Sequence, residues 1–238
     1  MMIDFHTHIL PGIDDGSDSV KESLAMLRME AQQGVSQVVA TPHFYARYDS
    51  PERFLENRSE AFTLLSQAMQ QEPDLPRITL GAEVYFFRGM SESEILQQLT
   101  IGGSNHILVE LPMGTWGDEV FRELDAIYDK QGLVPVIAHL DRYIGPFRTR
   151  SILKRLEPMP VMVQANANFF LERRTERLAM QLLKTDRIQL LGSDCHNLTD
   201  RPPNLNSAVQ QIRNRIGAEP LMRIRGYEQE ILGMESPE

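Results

Sequence analysis

Short runs rich in Val, Ile and Leu recur along the chain, separated by longer stretches whose apolar residues return every three or four positions. Runs of this length suit parallel strands covered on both faces, and the longer stretches suit amphipathic helices. The runs fall at 2–8, 36–43, 77–86, 106–111, 134–139, 160–167 and 188–194. Between the first two, Ser17, Asp18 and Ser19 offer capping oxygens, Val20, Leu24, Leu27 and Ala31 follow at helical spacing, and Gly34 ends the pattern. The alternation returns at 51–71 (Phe54, Phe62, Leu65, Met69), 118–131 (Val120, Leu124, Ile127), 175–184 and 205–216. Seven strands alternating with helices predict an α/β fold, a closed or nearly closed β/α barrel. No internal repeat or low-complexity linker interrupts it, so one domain is expected over residues 1–238. The pattern weakens from Ala218, and 218–238 is expected to be a partly ordered tail.

With 42% hydrophobic and 24% charged residues the chain has the composition of a globular protein with a full core. Its net charge of -9 disfavours a nucleic-acid backbone partner, which takes a clustered basic surface, and suits a carboxylate-rich metal site. Cys195 is the single cysteine, so no internal disulfide forms and a reducing compartment is compatible. The start, MMIDFHTHIL, lacks a basic segment followed by a long apolar stretch, and no run approaches the roughly 20 apolar residues of a membrane span. No membrane insertion and a cytoplasmic location are therefore expected.

Five of the six histidines lie at or just past the C-terminal end of an expected strand: His6, His8, His43, His139 and His196. Strand ends of this kind form the catalytic face of β/α barrels. Acids join them there: Glu83 in GAEVYF, Glu110 in ILVELP, Asp194 in LLGSDCH, and Asp14 and Asp15 after the first strand. Imidazole and carboxylate together are the ligand set of divalent metals. His6 and His8, two apart on a strand, point to the same face and can meet one ion. Glu110, between Val109 and Leu111, must be protonated, paired or metal-bound to be buried, with Arg142 or Arg88 as the alternative ion-pair partner. His106 begins its strand, away from this end, and is assigned to structure. Trp116 and Phe121 are read as packing residues, and Tyr45 and Tyr48 as loop residues.

Arg142 lies three residues after His139 and Arg201 five after His196. A guanidinium offers paired donors that match phosphate oxygens. Cys195 and Arg201 also stand at the spacing of the cysteine-based phosphatase loop. That loop wraps phosphate in backbone N–H groups, usually with glycine, and lowers its thiol's pKa with positive charge. Here the segment between is His-Asn-Leu-Thr-Asp, flanked by Asp194, so the spacing is read as accidental.

The stretches MIDFHTHILPGIDDGSDSVKESLAM, VVATPHF, GAEVYF, ILVELP, VIAHLDRY and GSDCHNLTDR run in order from residue 2 to residue 201. On them the chain resembles the PHP (polymerase and histidinol phosphatase) superfamily, and within it the bacterial manganese-dependent protein-tyrosine phosphatases of capsule and exopolysaccharide synthesis. The resemblance implies a distorted (β/α)7, TIM-like barrel. It implies His6, His8, Asp15, His43, Glu83, Glu110, His139, Asp194 and His196 as ligands of up to three divalent ions, selecting Asp15 over Asp14. Mn²⁺ is the implied ion, with Fe, Zn²⁺, Co²⁺ and Mg²⁺ as alternatives. Arg142 and Arg201 would hold the phosphate of a tyrosine-phosphorylated protein, a bacterial tyrosine kinase. The chain departs from the family at Leu140-Asp141, where relatives carry Pro-Glu, and at Phe169-Phe170, where they favour small residues and where a bulkier pocket is expected.

The reaction expected is in-line attack on phosphorus by water that adjacent ions activate, without a covalent phosphoenzyme. Asp141 is a candidate acid for the leaving phenolate. Two other readings remain at this point: a phosphoesterase acting on a small phosphomonoester such as histidinol phosphate, and a non-catalytic regulatory partner of a kinase. A metal-dependent amidohydrolase is disfavoured, because no lysine falls at an expected strand end.

Overall fold

The computed structural model describes residues 2–144 and 149–234. The chain runs β1 Met2–Thr7, α1 Val20–Gln32, β2 Val35–Ala40, β3 His43–Phe44, α2 Pro51–Met69, β4 Arg77–Leu80, β5 Glu83–Tyr85, β6 His106–Glu110, α3 Asp118–Gln131 and β7 Val134–Ile137. It continues through α4 Thr149–Leu156, β8 Met162–Asn166, α5 Ala167–Leu171, α6 Glu176–Lys184, β9 Leu190–Gly192, α7 Leu205–Ile216 and α8 Glu219–Leu232. All pairings are parallel, in the orders β1-β2-β4 and β3-β5-β6-β7-β8-β9.

The runs expected at 36–43 and 77–86 are each divided, into β2 with β3 and β4 with β5. Pro42 has no N–H for the ladder, so β2 breaks there. The chain direction continues nonetheless: Gly81 N donates to Ala40 O at 2.9 Å and Glu83 N to Pro42 O at 3.0 Å. Counting each divided strand once gives, among the described residues, the seven strands expected. The ends of the sheet then meet, since Asp194 N donates to His6 O at 2.8 Å and His8 N to Cys195 O at 2.9 Å. The barrel is closed. Its distortion lies between β5 and β6, where short 3-10 turns replace a helix.

Two apolar layers result. An outer layer packs the helices on the strands, and an inner cluster of Ile3, Phe5, Val39, Leu108, Val136 and Leu190 fills the barrel. Ile231 of α8 belongs to the inner cluster, so α8 plugs the barrel at the end away from the histidines. This corrects the expected tail: 219–232 is a packed helix, and only 235–238 of that segment lies outside the described residues. The pattern hid it because Glu228 interrupts the apolar stripe of Leu221, Ile224 and Ile231. Glu228 is buried, and burial pushes its carboxyl up to about 8.

Phe169 and Phe170 are buried in the outer layer rather than lining a pocket, and Trp116 packs on Phe121 and Tyr143 as expected of a core residue. No helix among the described residues is long and apolar enough to cross a membrane. Truncating a buried isoleucine costs about 2–5 kcal/mol through lost transfer energy and the cavity left. Ile231→Ala is expected to lower the urea midpoint by that amount of stability with the slope of the transition unchanged, measured by circular dichroism.

Candidate metal centre

The C-terminal mouth of the barrel collects side chains from most of its strand exits. β1 carries His6 and is followed by His8, and the turn beyond holds Asp14 and Asp15. β3 and β5 open with His43 and Glu83, and β6 closes with Glu110. His139 follows β7, and Asp194 and His196 follow β9. Asp15 stands at the rim with its side chain 70% exposed, while Glu110 and His43 are 12% and 11% exposed and the others are buried.

Donor atoms fall into three overlapping groups. In the first, His6 Nε2 lies 3.1 Å from both His8 Nε2 and Glu83 Oε2, and Asp194 Oδ1 lies 3.5 and 3.4 Å from the two imidazole nitrogens. The second joins His8, Asp15, His43 and His196, with Asp15 Oδ1 at 3.5 Å from Nε2 of both His43 and His196. The third joins His43, Glu83 and Glu110, with His43 Nδ1 at 3.1 and 4.0 Å from the two carboxylates. A neutral imidazole has one lone pair, so His43 serves one of its two groups at a time. His139, outside these groupings, completes the third side: its Nε2 is 2.7 Å from Glu83 Oε1 and 3.6 Å from Glu110 Oε1.

Outer hydrogen bonds decide which lone pairs face inward. Asp14 Oδ2 accepts from His8 Nδ1 at 2.7 Å, and the Asp194 carbonyl accepts from His196 Nδ1 at 3.0 Å, leaving both Nε2 atoms free toward the site. Asp14 thus belongs to the support of His8, while Asp15 faces the donor cluster. Gly16 makes this turn feasible, because a Cβ there would stand 2.3 Å from His8 O and 2.5 Å from His8 Cβ. Inside, Asp194 Oδ1, Glu110 Oε2, His196 Nε2 and His43 Nδ1 are buried with no hydrogen-bond partner among the described residues. Buried polar atoms are rarely left so, and several converging at one mouth is what a site shaped for cations requires.

The electrostatics agree. Burial and then Glu83 push the Glu110 carboxyl up to about 7, and burial and then His8 push His196 down to about 4. A bound divalent ion would reverse the first effect by stabilising the carboxylate, and reinforce the second by favouring the neutral imidazole. Burial opposes ionisation of Asp14, yet its bond to His8 holds it down at about 2. His139 and Asp194 have φ of 31° and 56°, a left-handed backbone that non-glycine residues rarely adopt.

Arg142 and Arg201 each place Nη2 2.7 Å from Asp194 Oδ2, and their side chains are 33% and 35% exposed. Arg142 also lies 3.8 Å from Glu110, whereas Arg88 pairs with Glu119. Asp141, whose pKa burial raises, accepts from Asn166 N at 3.0 Å. Cys195 is buried, and burial followed by the nearby Glu30 pushes its thiol well up. The loop from Cys195 to Arg201 does not cradle an anion: Asn197 Oδ1 accepts from the backbone N–H groups of Thr199, Asp200 and Arg201 at 3.0, 2.8 and 3.1 Å.

All the expected ligands and both arginines therefore meet at one mouth. The sequence reading left Asp14 without a role, although an Asp-Asp-Gly turn right after a His-X-His signals one carboxylate for the imidazole and one for the ion. A β/α barrel whose C-terminal mouth turns imidazole and carboxylate lone pairs inward in overlapping groups has the donor set that divalent metal ions take, and these residues could hold them.

Comparison with known proteins sharpens this class. The profile of the CpsB/CapC family, described as capsular polysaccharide synthesis, matches residues 2–230. The chain belongs to that family. It is 31% identical over 228 residues to the tyrosine-protein phosphatase CpsB of Streptococcus pneumoniae, with 92% of each chain covered. It is 28% identical over 230 residues to the tyrosine-protein phosphatase YwqE of Bacillus subtilis, covering 92% of this chain and 86% of that one. Among solved structures, the crystal structures of YwqE and CpsB, described as unique metal-dependent tyrosine phosphatases, give a TM-score of 0.84 at 25% identity, covering 99% of this chain and 96% of that one.

If Asp14 holds His8 through the turn at Gly16, Gly16→Ala should weaken Mn²⁺ binding by about 10–100-fold in titration calorimetry, the usual cost of disturbing a ligand's support. Parent-like affinity would remove that role from Asp14.

Proposed function

We propose that this chain is a metal-dependent protein-tyrosine phosphatase, with a bacterial tyrosine kinase of capsule or exopolysaccharide synthesis as its substrate. The observation that carries this is the convergence of imidazole and carboxylate donors at one barrel mouth, beside two partly exposed guanidiniums. The phosphatase names of the family relatives support it.

In this reading His6, His8, Asp15, His43, Glu83, Glu110, His139, Asp194 and His196 hold up to three ions, with Mn²⁺ the preferred one. Divalent ions there supply a water nucleophile at neutral pH and offset charge on the phosphoryl oxygens. The chain's own residues do the rest. Arg142 and Arg201, one-third exposed above Asp194, turn paired N–H donors to the phosphate and fix its orientation for in-line attack. Asp194 keeps them in place between turnovers. The phenolate leaves with a conjugate-acid pKa near 10, so protonation is an aid rather than a requirement. Asp141, whose pKa burial raises, stands one residue before Arg142 and is the candidate acid. The enzyme works in the cytoplasm, where reducing conditions suit a chain with one unpaired thiol.

Activity on a phosphotyrosine peptide is expected to vanish on chelation and to return best with Mn²⁺, and turnover is expected to exceed that on histidinol phosphate. Full activity of protein shown by elemental analysis to be metal-free, or preference for histidinol phosphate, would sink the reading. Cys195→Ser is expected to leave phosphatase activity largely intact, since a buried thiol with a raised pKa is no nucleophile. Complete loss with unchanged metal content would move the chemistry to the thiol.

A further inference from the structure

Two amide side chains of β8, Gln164 and Asn166, stand behind the site without belonging to any of its donor groups. Both are buried, at 0% and 7% exposure. The orientation of a buried amide is fixed only by partners whose own role is unambiguous. Here such partners exist at both ends. The His139 backbone N–H can only donate, and it lies 2.6 Å from Gln164 Oε1. Gln164 therefore presents its amide nitrogen to Asn166 Oδ1, at 3.1 Å. Asn166 then presents its own nitrogen to Asp194 Oδ2, at 2.9 Å, an oxygen that also receives both guanidiniums and can only accept. Read from either end, the chain of bonds has one direction.

The same direction settles His6. Its Nδ1 lies 3.3 Å from Gln164 Oε1, which is an acceptor, so Nδ1 carries the proton and Nε2 keeps its lone pair toward His8, Glu83 and Asp194. At the other end, Asn166 and the arginines occupy Asp194 Oδ2 and leave Oδ1 as the buried oxygen without a partner. Gly192 of β9 lies between these groups: a Cβ there would stand 2.5 Å from His6 Cβ and 2.9 Å from Gln164 Nε2. Only glycine lets β1 and β8 side chains touch across β9. The Asn166 backbone N–H is itself held by Asp141.

We propose that Gln164 and Asn166 are positioning residues, an amide relay that selects the ring nitrogen of His6 and the carboxylate oxygen of Asp194 offered to the ions. The relay acts through the ligands and touches no substrate. It rests on the metal reading above and adds to it which residues preset the site before an ion arrives.

Gln164→Met and Asn166→Leu keep the side chains' approximate shape and remove the relay. Each is expected to bind Mn²⁺ about 10–100-fold more weakly than the parent in titration calorimetry. Both should still unfold cooperatively when metal-free, and metal addition should raise their melting temperature less than it raises the parent's. In Zn²⁺-loaded protein, a slowly exchanging His6 Nδ1–H resonance is expected for the parent and lost in Gln164→Met. Folded variants with parent-like Mn²⁺ affinity overturn the relay and leave the metal reading standing. A parent that binds no Mn²⁺ overturns both. If Gln164→Met does not fold, Asn166→Leu decides by the same affinity.

Discussion

The site depends on the closing of β1 against β9. His6 and His8 arrive with the first strand and Asp194 and His196 after the last, and two backbone hydrogen bonds across that seam put them within contact. Asp4 strengthens it from outside the mouth, its Oδ1 accepting from the backbone N–H of both His6 and Ser193. The price is electrostatic, for closure gathers Glu83, Glu110 and Asp194 in one buried volume. Like charges at such separations repel strongly in a medium less polarisable than water. Arg142 and Arg201 offset part of this at Asp194, while burial first and then Glu83 raise the carboxyl of Glu110.

What could be read from the sequence follows from how strongly position implies direction. A histidine at the exit of a parallel strand has one place to go, so His6, His8, His43, His139 and His196 were legible as a set once the strands were. Glu110 was legible because an acid amid valine and leucine demands a partner. Asp15 was not separable from Asp14 by spacing, since adjacent turn residues share no periodicity. The family resemblance selects Asp15, and the bond from His8 Nδ1 to Asp14 supplies the physical reason. Gln164 and Asn166 carried a faint signal, two amides at alternate positions of an otherwise apolar strand. Their meaning needed the partners on β1 and β9, which no local pattern contains. The helix at 219–232 escaped because Glu228 occupies a buried stripe position, where a carboxylate is not expected.

Two expected ligands adopt a backbone that side chains avoid. Residues held at positive φ cost of order 1–3 kcal/mol each, and persist where surroundings over-determine them. His139 is held through its N–H on Gln164 and its ring on Glu83; Asp194 through three donors on one oxygen and its N–H on His6. The strain thus sits at two residues whose side chains face the donor cluster.

The placement of Ile231 at the base of the barrel has a temporal meaning. A chain emerging from the ribosome can lay down β1 to β8 as successive local units, but the inner cluster stays open to water until the final helix arrives. Long-range contacts of this kind are entropically slow to form. The first and last ligand-bearing strands also meet late. The side chains of the mouth are therefore brought together only once β9 has been made, since Asp194 and His196 follow it.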